Sequence, residues 1–483
     1  MEFDLCITGA TVVDGSGRPG FVTDVGITGG RIVAVGDLSG TPSQQRIDAA
    51  GQVLAPGFID VHTHDDRALL MPGAMAAKLS QGVTTVVTGN CGLSLAPSGI
   101  RGAIPPPLDL IATPEWLRFP TFRDYLQTLE SEGIAVNAVC LVGHLTLRAN
   151  VMDDLERAAT SAECDAMRAL LADALDAGAF GLSTGTFYPP ARHATTDEIV
   201  AVGEPLRAHG ALYATHMRNE AEQVIDALDE TFEIGRRLDV RVLISHHKLA
   251  GVANHGRSVE TLKHIAAAME QQPVSVDCYP YNASSTVLRP EFVARASSVL
   301  VSWSEPHPEH AGRTLADIAR DLGCSDEQAA ARLMPAGAIY FMMDETDVRR
   351  ILAFPKTLIG SDGMPHDEHP HPRLWGTFPR VLGHYVREER LFSLETAVHK
   401  MSGLTAEELA LPGRGRIQSG YAADLVLFDP AIIGDRATFA EPRALSAGVK
   451  QVWVNGQLAF SDGSMKYDRA GQVVKRHTCM VPK

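Results

Sequence analysis

His62 and His64 stand two residues apart at the end of an apolar run, Gly57-Phe58-Ile59-Asp60-Val61-His62-Thr63-His64. On a strand, side chains two apart share a face, so both imidazoles can converge on one point and suit a metal. The plain alternative for such a pair alone is a strand end with two solvated histidines. Further along, Cys91, His144, Tyr188, His216, the triplet His246-His247-Lys248, Tyr279 and Asp362 each stand at the end of another apolar, strand-like run. Singly each has an ordinary reading: Cys91 a small buried hydrophobe, His144 a hydrogen-bonded core histidine, Asp362 a helix cap in Ser-Asp-Gly, Tyr188 packing before two prolines. As a set they are metal ligands and titratable groups gathered for chemistry. Imidazole mixed with thiolate points to zinc, since magnesium or calcium would want oxygens. Cys91, His216 and His246 supply three ligands and leave the fourth position for water, as catalytic zinc requires. His62, His64 and Asp362 can build a second, neighbouring position, with the Cys91 thiolate placed to bridge.

Such residues converge only if their strands lie side by side. Strand candidates cover 57–64, 83–91, 137–148, 178–188, 211–218, 240–248, 274–281 and 356–363. Stretches 162–177, 196–209, 220–238 and 258–271 carry the i, i+3, i+4 apolar spacing of amphipathic helices. Eight alternating units imply an α/β fold, a TIM-type (β/α)8 barrel whose catalytic groups sit at the C-terminal ends of its strands. Between strands seven and eight, residues 284–354 far exceed an ordinary connection and include a helical stretch at 313–333; a lid over the site is the expected role. Short alternating segments with turn residues fill both chain ends, and neither end alone has strands enough to bury a sheet. The expected division is a small β domain from residues 1–55 and 414–483, and a metal-dependent barrel at 56–413 carrying the 284–354 insertion.

Composition narrows the partners. In 483 residues, 45% are hydrophobic and 21% charged, ordinary globular usage. A net charge of −15 without basic runs argues against nucleic acid or an anionic membrane as partner and leaves a small molecule. Seven scattered cysteines with no Cys-x-x-Cys pair fit neither a zinc knuckle nor a disulfide framework, so a reducing cytoplasm is expected. No basic leader precedes an apolar core at the start, and no apolar run approaches the ~18 residues that span a bilayer.

The motifs also carry a family likeness. Pro56 to His64, Ser245-His246-His247-Lys248, Gly360-Ser361-Asp362-Gly363 and Gly420-Tyr421-Ala422-Ala423-Asp424-Leu425-Val426 resemble the amidohydrolase superfamily. Thr88-Gly89-Asn90-Cys91-Gly92, Phe187-Tyr188-Pro189-Pro190, Ala214-Thr215-His216-Met217-Arg218 and His371-Pro372-Arg373-Leu374-Trp375-Gly376 are similar to the N-acyl-D-amino-acid deacylases within it. The resemblance implies zinc-dependent hydrolysis of N-acyl-D-amino acids to a carboxylate and a free D-amino acid. It implies one tight zinc on Cys91, His216 and His246, a weaker position on His62, His64 and Asp362, and Asp362 as the proton carrier. Tyr279, Ser285 and Arg373 match residues that receive the substrate α-carboxylate. Many binuclear relatives bridge their metals with a strand-four lysine; Gly181-Leu182-Ser183-Thr184-Gly185 has none, which leaves that role to Cys91.

Two further roles rest on residue chemistry. Tyr188 can donate to the oxyanion opposite the metal, and Lys248 can meet the substrate carboxylate or stand behind the ligands. Arg373 suits a carboxylate through its planar fork, although an arginine beside prolines can also simply tie a loop. For the substrate side chain, the resemblance implies an apolar group, because similar members with acidic preference carry arginine where Phe292 stands; Arg289 and Lys248 are cations that could replace that charge. The alternatives are N-acyl-D-glutamate or cyclic-amide hydrolysis within the superfamily and, remotely, a non-catalytic scaffold.

Overall fold

Eight short parallel strands occupy the centre of the fold in the computed structural model, which describes residues 2–100 and 102–476. Phe58–Asp60, Val83–Thr88 and Asn137–Cys140 pair in one sheet. Val142–Gly143, Gly181–Gly185, Leu212–His216, Arg241–Ile244, Val274–Cys278 and Thr357–Ile359 pair in another. Leu141 alone separates Cys140 from Val142, and its N–H donates to the Thr88 carbonyl at 2.9 Å, so these two pieces act as one third strand. At the other seam the Val61 N–H reaches the Ile359 carbonyl at 3.4 Å and Thr63 bridges Gly363 in parallel. The two sheets thereby close into a (β/α)8 barrel.

The barrel is filled, not hollow. Ile59, Val87, Val139, Leu212, Leu243 and Leu358 pack inside it with almost no exposure. Helices cover its outer face, several of them stopped and started by local chemistry. Ser161–Ala177, for example, opens with a reciprocal Thr160–Glu163 capping box and closes on Gly178 at φ 116°.

The strands expected to run to 91, 188, 248, 281 and 363 end at Thr88, Gly185, Ile244, Cys278 and Ile359, so the chemical residues stand in the loops just beyond them, and three elements depart further. The third strand was expected to run to 148, but it ends at Gly143, and His144–Val151 is a helix. The turn needs glycine there, because a Cβ at Gly143 would lie 2.4 Å from the Gly92 backbone. The helix expected over 196–209 is two, Thr196–Gly203 and Pro205–His209, because Pro205 has no N–H to continue the ladder. The helix expected over 313–333 also divides, into Leu315–Leu322 and Asp326–Leu333, where Gly323 takes φ 60° and Ser325 caps the second.

The long connection after strand seven also holds a three-stranded antiparallel sheet, Ala283–Val287, Ala336–Phe341 and Ser298–Ser304 in spatial order. Both chain ends meet in one nine-stranded sheet, where Val53–Pro56 pairs antiparallel with Leu425–Phe428. Leu5, Ile27, Leu54, Leu425 and Trp453 form its core. Asn455 and Gly456, at φ 49° and 79°, make the two-residue turn between Val449–Val454 and Gln457–Ser461, the left-handed pair that tight hairpins require. Residues 477–483 of the expected β domain, Cys479 among them, lie outside the described residues. Among the described residues no helix is long and apolar enough to cross a membrane.

Candidate metal centre

The strand ends deliver their side chains to one buried point. Cys91 Sγ lies 3.3 Å from His62 Nε2 and 3.4 Å from His246 Nε2. Asp362 Oδ1 lies 3.2 Å from His64 Nε2 and 3.6 Å from His62 Nε2. Three overlapping triads, His62–His64–Cys91, Cys91–His216–His246 and His62–His246–Asp362, have ligand atoms all within 4.8 Å of one another, and every member is buried. Strand six ends at Ile244, and the left-handed turn at His246 that follows it decides between the two histidines. His246 faces the cluster, whereas His247 turns away to Thr261 at 3.0 Å, where burial holds its pKa down to about 4.

Three of these residues sit on strained backbone. Cys91, His246 and Asp362 have φ of 54°, 35° and 49°, three of the eight non-glycine positive values among the described residues. Each is pinned by its surroundings. The Asp362 N–H donates to the His62 carbonyl at 2.8 Å, and the His246 N–H donates to Asp277 Oδ1 at 2.8 Å. Ser183 on strand four clamps the Cys91 loop, accepting from the Gly92 N–H at 2.9 Å and donating to the Gly89 carbonyl. Strand four therefore holds the cysteine in place where a lysine would otherwise have been expected to bridge.

Electrostatics hold the thiol and the carboxylate of the cluster in their anionic, cation-binding forms. Burial alone would raise the Cys91 thiol, but His62 and His246 beside it hold its pKa well below the ordinary value. Burial would likewise raise Asp362, yet the Arg373 guanidinium at 2.9 Å and the histidines keep it well below the carboxylate range. For His64, burial lowers the pKa, and Asp362 and Cys91 outweigh it to give about 9. A buried thiolate among imidazoles is a donor set that fits zinc, and the His64 and His216 Nδ1 atoms have no hydrogen-bond partner.

The cluster opens on a cavity. Leu93, Leu110, Phe187, Phe292, Met342 and Met364 give it an apolar wall, with Tyr188, Tyr279, Ser285 and Asp362 among its polar groups. The Tyr188 ring lies 5.0 Å from the His216 ring, and the Tyr279 hydroxyl is buried without a partner. Arg373 is fully buried behind the wall, its guanidinium 4.5 Å over the Tyr279 ring and 3.4 Å from the Ser285 carbonyl. Lys248 lines the cavity, but its amine is held by Glu220 at 2.7 Å. Arg289 does not turn inward: it pairs with Glu291 and stacks on Phe292 at 4.7 Å. His144 lies apart from the cluster, 3.4 Å from Glu198, which also pairs with Arg148.

Two carboxylates escaped the sequence reading. Glu220 reaches His246 Nδ1 at 3.0 Å and His216 Nε2 at 3.4 Å, and Asp277 reaches His62 Nδ1 at 3.2 Å. The only signal for them was position, four residues after His216 and one residue before the end of strand seven.

The comparisons with known proteins agree with this architecture. The amidohydrolase family model matches residues 45–460. D-aminoacylase of Alcaligenes xylosoxydans xylosoxydans is 56% identical over 99% of this chain and 98% of its own length. N-acyl-D-aspartate deacylase of the same organism is also 56% identical, over 98% and 95%. The solved N-acyl-D-glutamate deacylase of Bordetella bronchiseptica, complexed with zinc and a phosphonate that mimics the tetrahedral intermediate, superposes with a TM-score of 0.95 at 44% identity, covering 98% of this chain and all of that one. The chain thus belongs to the amidohydrolase superfamily, among its N-acyl-D-amino-acid deacylases.

Proposed function

We propose that this protein hydrolyses the amide bond of N-acyl-D-amino acids with apolar side chains at a zinc centre. The observation that carries this reading is the overlap of three ligand triads on one buried point at the floor of an apolar cavity. Cys91, His216 and His246 would hold the tight zinc, and His62, His64 and Asp362 a weaker second ion. The chemistry zinc supplies in such a place is Lewis-acid polarisation of the scissile carbonyl and acidification of water.

The chain's own residues do the rest. Asp362, kept deprotonated by Arg373, accepts the proton of the attacking water and passes it to the leaving nitrogen, which an amide needs before it can depart. Burial raises the Tyr188 and Tyr279 hydroxyls well above their ordinary pKa, so both remain donors at neutral pH. Tyr188, packed on His216, donates to the oxyanion. Tyr279 and Ser285 on the cavity wall receive the α-carboxylate, with Arg373 adding its charge from behind Tyr279 and Lys248 contributing less because Glu220 neutralises it.

The side-chain preference follows from charge pairing. Lys248, Arg289 and Arg295 near the cavity each face a carboxylate, Glu220, Glu291 and Glu222 respectively. An acidic substrate side chain would therefore be desolvated without a free cation. One observation favours an acidic substrate instead: Arg295 lines the cavity and is held by Glu222 only at 3.4 Å, on an exposed rim. A kcat/KM comparison decides between them. N-acetyl derivatives of D-methionine, D-leucine and D-phenylalanine should exceed those of D-aspartate and D-glutamate by about ten-fold or more. A faster acidic substrate, or equal cleavage of L-enantiomers, refutes the pocket reading.

A further inference from the structure

We infer that Asp277 is the positioning residue that fixes the proton of His62 and thereby enables the second metal position. This rests on the proposed centre and adds a division of labour within it. Asp277 lies on the strand Val274–Cys278 with no exposure. Its Oδ2 is 3.2 Å from His62 Nδ1, and its Oδ1 accepts from the strained His246 N–H at 2.8 Å. Room for this contact comes from Gly360, where a Cβ would stand 2.6 Å from His62 Cβ and 3.1 Å from Asp277 Oδ1.

A neutral imidazole carries one proton, and a carboxylate can only accept. Asp277 therefore draws that proton to His62 Nδ1, leaving the Nε2 lone pair aimed at the space shared with Cys91 and Asp362. His64 has no such anchor, since its Nδ1 is buried without a partner. At the tight position the Nδ1 of His246 faces Lys248 Nζ at 2.8 Å and Glu220 at 3.0 Å, so Asp277 touches that position only through the His246 backbone.

This asymmetry makes asparagine and alanine behave differently. In Asp277→Asn the backbone N–H of His246 dictates which way the amide sits, because the flipped amide would set donor against donor. The Asn oxygen keeps that contact, and its NH2 then faces His62 Nδ1 as a donor. The proton moves to Nε2 and blocks the metal-facing nitrogen. Asp277→Ala loses both contacts.

The test is zinc uptake by the purified full-length protein across chelator-buffered free zinc, with bound metal counted by mass spectrometry and folding checked by circular dichroism. Asp277→Asn should keep the tight zinc within about three-fold of wild type and weaken the second position at least about ten-fold. Asp277→Ala should weaken both; if it does not fold, Asp277→Asn still decides. A second zinc bound normally by Asp277→Asn, equal loss of both zincs in that variant, or a wild type that never takes a second zinc overturns the inference. A wild type that binds no zinc overturns the proposed centre itself.

Discussion

Replacing Glu220 by Gln leaves Lys248 as a buried ammonium without its counter-ion, and the structure sets the size of the effect. At 2.7 Å the pair's attraction is about 6 kcal/mol for an effective dielectric of 20. Desolvation of two buried ions offsets much of that, so a net coupling of about 2–3 kcal/mol remains. The Lys248 side chain is 11% exposed toward the cavity, which favours the lower figure. Glu220→Gln alone should thus cost about 2 kcal/mol of unfolding free energy. The double variant Glu220→Gln/Lys248→Met should cost 2–3 kcal/mol less than the two singles added together. Urea unfolding of all four proteins with zinc stripped by chelator measures this, so that a changed zinc affinity does not enter. The freed ammonium should also narrow the gap between acidic and apolar substrates in Glu220→Gln. Additivity within about 0.5 kcal/mol would show that Glu220 and Lys248 do not act as a pair.

Cys91→Ala removes the only thiolate in the ligand set and should release the tight zinc on dialysis; metal analysis that still finds one equivalent assigns that zinc elsewhere. Asp362→Asn should keep fold and tight zinc but lower kcat by about 10²–10⁴, because an amide cannot cycle a proton, and near-normal turnover would remove Asp362 from that role. Glu198 supplies a pH test away from the site. Burial alone would raise it, but His144, the Ala159 N–H and Arg148 lower it from 4.5 to about 2. A folded-state pKa depressed in this way contributes stability above pH 4.5 that is lost as pH falls toward 2. Glu198→Gln should therefore be less stable than wild type at neutral pH and lose less further stability across that acid range; parallel unfolding curves would refute the assignment.

The barrel was legible because each strand announced itself twice, by an apolar run and by a chemical residue at its C-terminal end. That rule picks out Cys91, His216, His246 and Asp362, whose side chains the fold brings close together. It failed at His144, where the apolar run continued across a change from strand to helix and carried the histidine to Glu198 instead. Glu220 and Asp277 were missed for a related reason. A carboxylate that steadies an imidazole carries no pattern of its own, and its role depends on which strand lies next to which. The insertion's sheet was hidden because Ala283–Val287, Ser298–Ser304 and Ala336–Phe341 are short strands that pair across intervening helices.

The left-handed backbone at Cys91, His246 and Asp362 connects these successes and failures. Such conformations cost about 1–3 kcal/mol each and persist only where the surroundings over-determine them. The residues that do so, Ser183, Asp277 and the His62 carbonyl, come from strands four, seven and one, so strain in one loop is borne by its neighbours across the barrel. A ligand residue can be guessed from its own stretch of sequence, but the restraint that aims it belongs to another strand. Asp277 illustrates the point most fully, because one carboxylate holds the strained His246 turn from one oxygen and orients His62 from the other. Aiming the ligands before any ion arrives spares metal binding the ordering of three strained turns, and the same restraints keep a proton carrier such as Asp362 in register with the groups it serves.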